Sequence, residues 1–275
     1  SAIQPGLYSH YASFEQDIEL GEQCDLGNWK KRGPAHLNVC FEEPGPAFDY
    51  RLPPLQASTQ TNAGLPVTEA SLKQVGAFLE KTARPLVVVS GVPREARRAV
   101  HDFLVGLEAP VYLEATSGLR EAAELQGLRV KPIENIWEQS IDVILRIGGV
   151  PTCRLWRELE EREGKVGVCS VSHVPFSGLS WGSVICTSLK DFFPKVVIGK
   201  ARFWKPDSCG FDELFLRYPK SEPALIRQLS QMIPRDARVY LGNSLPIREW
   251  DLAASENAPS DVWASRGVNG IDGQL

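Results

Sequence analysis

The chain has 275 residues, 43% hydrophobic and 23% charged, ordinary values for a folded protein and enough length for about two domains. Thirty Lys and Arg against 34 Asp and Glu leave a net charge of −4 with no basic block, which argues against nucleic acid as a partner. No apolar run approaches the roughly 20 residues of a membrane helix. The start shows no secretory leader pattern, and six scattered cysteines without CxxC pairing argue against zinc and for the reduced, buried thiols of a cytoplasmic protein.

Residues 1–11 (SAIQPGLYSHY) are turn-rich and polar. Acidic residues at helical spacing predict a helix over 14–28. Gly33-Pro34 is a turn, and 35–41 reads as a strand stopped by Glu42-Glu43-Pro44. Residues 48–66 mix proline with Ser, Thr, Gln and Asn, a linker composition. Thr68 is placed to cap a helix over 68–81, with Leu72, Val75, Phe78 and Leu79 at helical spacing.

From 84 to 197 strand and helix patterns alternate. Strands are expected at 86–90 (LVVVS), 111–114, 143–147 (VILRI), 165–171 and 184–187. Helices are expected at 94–107, 119–125, 152–163 and 189–197. Continuous apolar strands separated by helical segments imply an α/β fold, a Rossmann-like parallel sheet covered on both faces. No GxGxxG follows either strand-end glycine group, Gly91 or Gly148-Gly149, so these read as strand-end turns rather than a nucleotide site. Arg94, Arg97 and Arg98 read as a solvated helix face, and Trp181, Phe192, Phe193, Phe203 and Trp204 as core or domain-contact residues. His36 falls in a strand, His101 on a helix surface and His173 in a turn, without companion motifs for a metal or a triad.

Residues 205–209 form a linker, and a helix follows over 221–232 with Ser221 as cap and Pro223 in its first turn. A strand at 238–241 ends at Gly242-Asn243-Ser244, just before a helical pattern through Ile247, Trp250, Leu252 and Ala253. Small polar groups at the carboxyl edge of a sheet are where open α/β sheets bind ligands. Arg248 lies one helical turn beyond Ser244, and SRGVNGIDG (265–273) places three glycines around Arg266. Guanidinium groups pair bidentately with planar oxyanions, so this is a candidate carboxylate or phosphate site. The pattern equally permits a surface turn with solvated arginines.

GPAHLNVCFEEP (33–44) resembles a stretch shared by many thiamine-diphosphate enzymes. LGNSLPIR (241–248) followed by SRGVNGIDG is similar to a narrower pattern, that of the 2-succinyl-5-enolpyruvyl-6-hydroxy-3-cyclohexene-1-carboxylate synthase family of menaquinone biosynthesis. The resemblance runs along the whole chain. It implies the tail of a pyrimidine-binding domain at 1–46, a linker at 47–66, a complete Rossmann-like middle domain at 67–204, and the first part of a pyrophosphate-binding domain at 205–275. Together with the loop-like opening at Ser1, it makes a piece of a longer protein the expected reading. The implied parent is a homodimer or homotetramer that decarboxylates 2-oxoglutarate and adds the succinic-semialdehyde unit to isochorismate.

Residue by residue, the resemblance places Asn243, Ser244 and Arg248 on a substrate carboxylate, Arg266 beside them, and Gln4 in the Gln-Pro-Gly segment. Arg154 keeps one charge of the family's Lys-Arg pair; Cys153 stands where the lysine would be, so the isochorismate side is altered or another cation replaces it. Thiamine diphosphate and Mg2+ are implied for the parent. Neither is expected on this chain, because the activating glutamate would precede Ser1 and the Gly-Asp-Gly…Asn motif would follow Leu275; no catalytic residue is expected here. The alternatives are another thiamine-dependent decarboxylase or carboligase, and a non-catalytic Rossmann-like binding module. Residues 1–46 and 207–275 are expected to pack less well than the middle.

Overall fold

The computed structural model describes residues 12–19, 21–29, 34–39, 66–131, 133, 136–199, 203–206, 211–242 and 244–264. The chain divides into two compact units, Ser1–Gln60 and Thr61–Leu275.

In the first unit, β1 (Phe14–Ile18) and β2 (Ala35–Val39) pair in parallel. The helix expected over 14–28 is therefore not formed. Ile18 is the one buried residue of β1, so the segment lacks the apolar stripe that would hold a helix on a core, and cross-strand partners stabilise the strand instead. Asn38 Nδ2 donates to Asp17 Oδ1 at 2.8 Å, and His36 Nδ1 lies 3.4 Å from Glu15 Oε1.

The second unit opens with α1 (Glu69–Glu80), whose cap is the expected one: Thr68 Oγ1 accepts from Ser71 N at 3.2 Å. Then come β3 (Pro85–Ser90), α2 (Arg97–Leu107), β4 (Val111–Leu113), β5 (Val143–Gly148), α3 (Arg154–Glu158), β6 (Gly167–Ser172), β7 (Ser183–Cys186) and α4 (Leu189–Phe192). The five strands form one parallel sheet in the order β4-β3-β5-β6-β7. Alternate residues feed two cores. Val87, Val89, Leu145, Ile147 and Val171 pack with Val75, Val100 and Phe192 on one face. Leu86, Val88, Ile144 and Val168 pack with Leu155, Trp156 and Leu159 on the other. A sheet covered on both faces needs strands apolar at every position, and all six residues of β3 are buried.

Local chemistry shifts three elements from the sequence expectation. The helix over 119–125 is replaced by 3-10 turns at Ala115–Ser117 and Ala123–Leu128. Gly118 takes φ +66°, Ser117 Oγ accepts from Leu119 N at 3.1 Å, and Gln126 Nε2 satisfies the Arg120 and Ala122 carbonyls. The helix over 152–163 shortens to α3 plus a 3-10 turn, Leu159–Arg162, with Gly164 at φ +74° beyond it. The helix over 189–197 becomes α4 and a 3-10 turn, Phe193–Lys195, with Pro194 in its first turn. At Gly148 (φ +87°) a Cβ would lie 2.1 Å from Ser90 O, so only glycine allows β5 to approach β3 there.

The remaining elements are α5 (Asp212–Arg217), α6 (Glu222–Met232), β8 (Arg238–Leu241), α7 (Leu245–Ala253) and β9 (Asp261–Ala264), with β8 and β9 parallel. Ser221 precedes α6, but its hydroxyl donates to Tyr218 O at 2.8 Å instead of capping the helix. Among the described residues this segment is packed less completely than the middle sheet, as expected: Leu216, Met232 and Trp263 stay exposed, and α5 buries no residue. What packs is Leu241, Ile247, Trp250, Ala254, Ala258 and Val262, a core that includes Ala115 of the middle sheet's edge. Arg94 and Arg98 are exposed as expected, whereas Arg97 is half-buried, 3.8 Å from Asp261 of β9. His101 is likewise mostly covered, contacting Asp102 at 3.0 Å and Glu124 at 3.5 Å. No helix among the described residues is long and apolar enough to cross a membrane.

Candidate functional site

The carboxyl end of β4 is a platform for two helices. Glu114, fully buried, directs Oε1 at the start of α3, accepting from Thr152 N, from Thr152 Oγ1 at 2.6 Å and from Cys153 N at 3.1 Å. A carboxylate there satisfies donors that a helix start leaves open. Asp251 of α7 points back at β4: Oδ1 accepts from Ala115 N at 2.6 Å and Oδ2 from Tyr112 OH at 3.1 Å.

Arg120 holds the other end of α7. Its guanidinium is fully buried and donates to Asp251 O at 3.2 Å, Ala254 O at 2.7 Å, Ser255 O at 3.5 Å and Glu121 Oε1 at 2.7 Å. These are the carbonyls left open where a helix ends, and the charge opposes the helix dipole favourably. Burial dominates the proton affinities around it. It pushes Glu121 up against the pull of Arg120, Arg129 down to about 9 with Arg120 adding to the effect, and Lys131 down to about 8.

Burial, and next the Glu114 carboxyl, raise Asp251 well above the usual carboxylate range. The folded state then keeps a proton that the unfolded chain releases, so stability falls as pH rises from the unfolded carboxyl range towards the folded value. Asp251→Asn keeps an acceptor for Ala115 N–H and removes the titration. Between about pH 4 and pH 8, urea denaturation is expected to show the variant gaining stability relative to wild type. Parallel stability–pH curves would rule this out.

Above the platform, a cleft of about 660 Å3 is lined by residues that include Thr152, Arg154, Arg157, Glu158, Arg162 and Arg248. Arg154 Nε is paired with Glu158 Oε1 at 2.8 Å, and Glu158 Oε2 also accepts from Trp137 Nε1 at 2.7 Å. Arg162 lies 4.0 Å over the Trp137 ring. Arg248 Nη2 is 3.5 Å from Ser244 Oγ, so the i,i+4 pair shares one face as the sequence suggested. Ser244 takes φ +69° at the start of α7, a strained conformation for a residue with a Cβ and one that concentrates at functional sites. Arg248 also borders a smaller cavity with Tyr112, Lys131, Cys153 and Asp251.

The structure thus brings together Arg154, Ser244 and Arg248; Gln4, Asn243 and Arg266 lie outside the described residues. Cys153 is buried where α3 begins, its thiol raised by burial and then by Glu114, so it packs rather than reacts. The sequence reading missed Glu114, Arg120, Asp251 and Arg157. The described cleft offers cations and hydroxyls, a surface suited to binding and orienting a planar oxyanion.

No protein-family model matches the chain. It is 36% identical to the 2-succinyl-5-enolpyruvyl-6-hydroxy-3-cyclohexene-1-carboxylate synthase of Bdellovibrio bacteriovorus over 99% of its own length and 54% of that relative's. It is 34% identical to the synthase of Akkermansia muciniphila, over 98% of this chain and 52% of that one. The chain therefore spans about half the length of the curated relatives it matches. A solved structure of a candidate thiamin diphosphate-dependent enzyme from Mycobacterium smegmatis has a TM-score of 0.51 at 16% identity, over 85% of this chain and 48% of that chain, a likeness of fold. Over the span that it covers, the chain belongs to the 2-succinyl-5-enolpyruvyl-6-hydroxy-3-cyclohexene-1-carboxylate synthase family.

Proposed function

We propose that this chain is the central span of a thiamine-diphosphate-dependent carboligase that joins a decarboxylated 2-oxoglutarate unit to isochorismate, and that it supplies part of the substrate site. The observation that carries the reading is the cleft that Arg248, 3.5 Å from Ser244 at the start of α7, shares with the arginines of α3. In the same reading 67–204 is the middle domain between parts of a pyrimidine- and a pyrophosphate-binding domain. The assembly is a homodimer or homotetramer in the cytoplasm, where buried thiols such as Cys153 and Cys169 stay reduced.

The substrates suit such a surface because both carry carboxylates, which call for guanidinium and hydroxyl donors. Ser244, Arg248 and Arg154 bind and orient; Asn243, Arg266 and Gln4 join them in this reading. Among the described residues no group of three His, Cys, Asp or Glu side chains is placed to hold a metal ion. Steady-state assays of the full-length protein with 2-oxoglutarate and isochorismate test the reading. Thiamine-dependent consumption of both is the expected result. Turnover of 2-oxoglutarate with a different acceptor and none with isochorismate would favour another carboligase; binding without turnover would favour a non-catalytic module.

A further inference from the structure

Four arginines line the cleft, but they are not equally available. Arg154 is engaged by Glu158 at 2.8 Å, and that carboxylate is fixed in turn by Trp137. Arg162 is stacked on Trp137 at 4.0 Å. Arg248 has one long contact, to Ser244 Oγ at 3.5 Å. Arg157 is exposed, and among the described residues its side chain has no ion pair, hydrogen bond or ring contact; Glu161, one turn further on, lies beyond ion-pair distance. A cation already paired offers less to a ligand, because binding must first break or share the existing bond.

The supports of the two available cations make their separation a property of the fold. Arg157 rides on α3, whose start is held by Glu114, and Arg248 on α7, held to Ala115 and Tyr112 through Asp251. Both helices are thus anchored within residues 112–115, and both arginines line the one cleft. A ligand with two carboxylates offers a separate acceptor to each.

Resting on the carboxylate-site reading above, we propose that Arg157 is a further charge-recognising residue of this cleft, beside the Arg154 that Glu158 engages. With Arg248 it selects ligands carrying two carboxylates over those carrying one, a specificity-determining role supplied from the third position beyond Arg154 on the same helix.

Calorimetric titration of the full-length protein with glutarate and with butyrate tests this, the two acids differing in their second carboxylate. A charge-assisted contact makes the wild type favour glutarate by roughly 10- to 100-fold. Arg157→Ala should bring the two affinities together, and Arg157→Lys should restore part of the difference, since a point charge lacks the planar fork. Arg248→Ala should weaken both acids. If Arg157→Ala keeps the preference while Arg154→Ala removes it, Arg154 is the second cation and the proposal is overturned. If Arg248→Ala weakens both acids but Arg157→Ala leaves their ratio unchanged, this inference alone falls. If the wild type binds neither acid, the carboxylate-site reading falls and takes this one with it. Far-ultraviolet circular dichroism of each variant confirms that the exposed substitutions leave the fold intact.

Discussion

Arg120→Met is expected to destabilise the second unit by about 3–5 kcal/mol, the usual consequence of breaking a buried ion pair by removing one partner. The side chain is fully buried, its charge is matched by Glu121 at 2.7 Å, and it satisfies the carbonyls of Asp251, Ala254 and Ser255. Methionine fills much of the volume but removes the donors to the Glu121 carboxyl and to the Asp251 and Ala254 carbonyls, while Ser255 O keeps Ala258 N–H at 3.1 Å. For a unit of this size the loss amounts to roughly 6–20 °C in Tm. Arg120→Lys should recover only part, because one ammonium cannot reach acceptors arrayed along a helix end. Chemical denaturation followed at Trp250, buried in the core beside this contact, reads the effect. A loss under about 1 kcal/mol, the size of an ordinary surface change, would refute it.

The second large effect is on activity. Under the proposed function, Arg248→Ala in the full-length protein should lower kcat/KM by roughly 30-fold to several thousand-fold, equivalent to about 2–5 kcal/mol for truncating one partner of a charge pair that ligand binding desolvates. Its Nη2 already lies 3.5 Å from Ser244 Oγ, so guanidinium and hydroxyl can receive one carboxylate together. Thiamine diphosphate affinity should change little, since in the proposed reading the cofactor's diphosphate is anchored elsewhere. Arg248→Lys should fall between the two. Kinetics with both substrates, run beside a cofactor titration, decide the matter. Wild-type kcat/KM in Arg248→Ala would sink the assignment, as would a loss explained wholly by weaker cofactor binding.

The sheet was legible in the sequence because its strands are buried on both faces. LVVVS and VILRI leave no alternation to misread, and the helices between them carry one-sided apolar stripes. β1 was not legible: FEQDI has one buried residue, Ile18, and its pairing with β2 across an intervening segment leaves no local trace. On the site, Ser244 and Arg248 could be found because their spacing is helical. Arg120, Glu114 and Asp251 could not, since each is a single charged residue in an unremarkable setting whose partner lies far along the chain. The one available signal was a charge embedded in apolar surroundings, as at Leu119-Arg120 and Trp250-Asp251-Leu252. Arg154 drew attention through its resemblance to a family position, whereas Arg157 is distinguished by what does not touch it, which only coordinates reveal.

The bonds from Tyr112, Ala115 and Arg120 to Asp251 of α7 join residues 131 to 139 positions apart. Strand pairs such as β5 with β6 close much shorter loops. Closure entropy grows with loop length, and long-range contacts are rewarded only after that cost has been met. These closures favour an order of folding in which the parallel sheet assembles first and the segment bearing Arg248 docks onto a finished edge, so the two walls of the cleft are expected to be joined late and parted early.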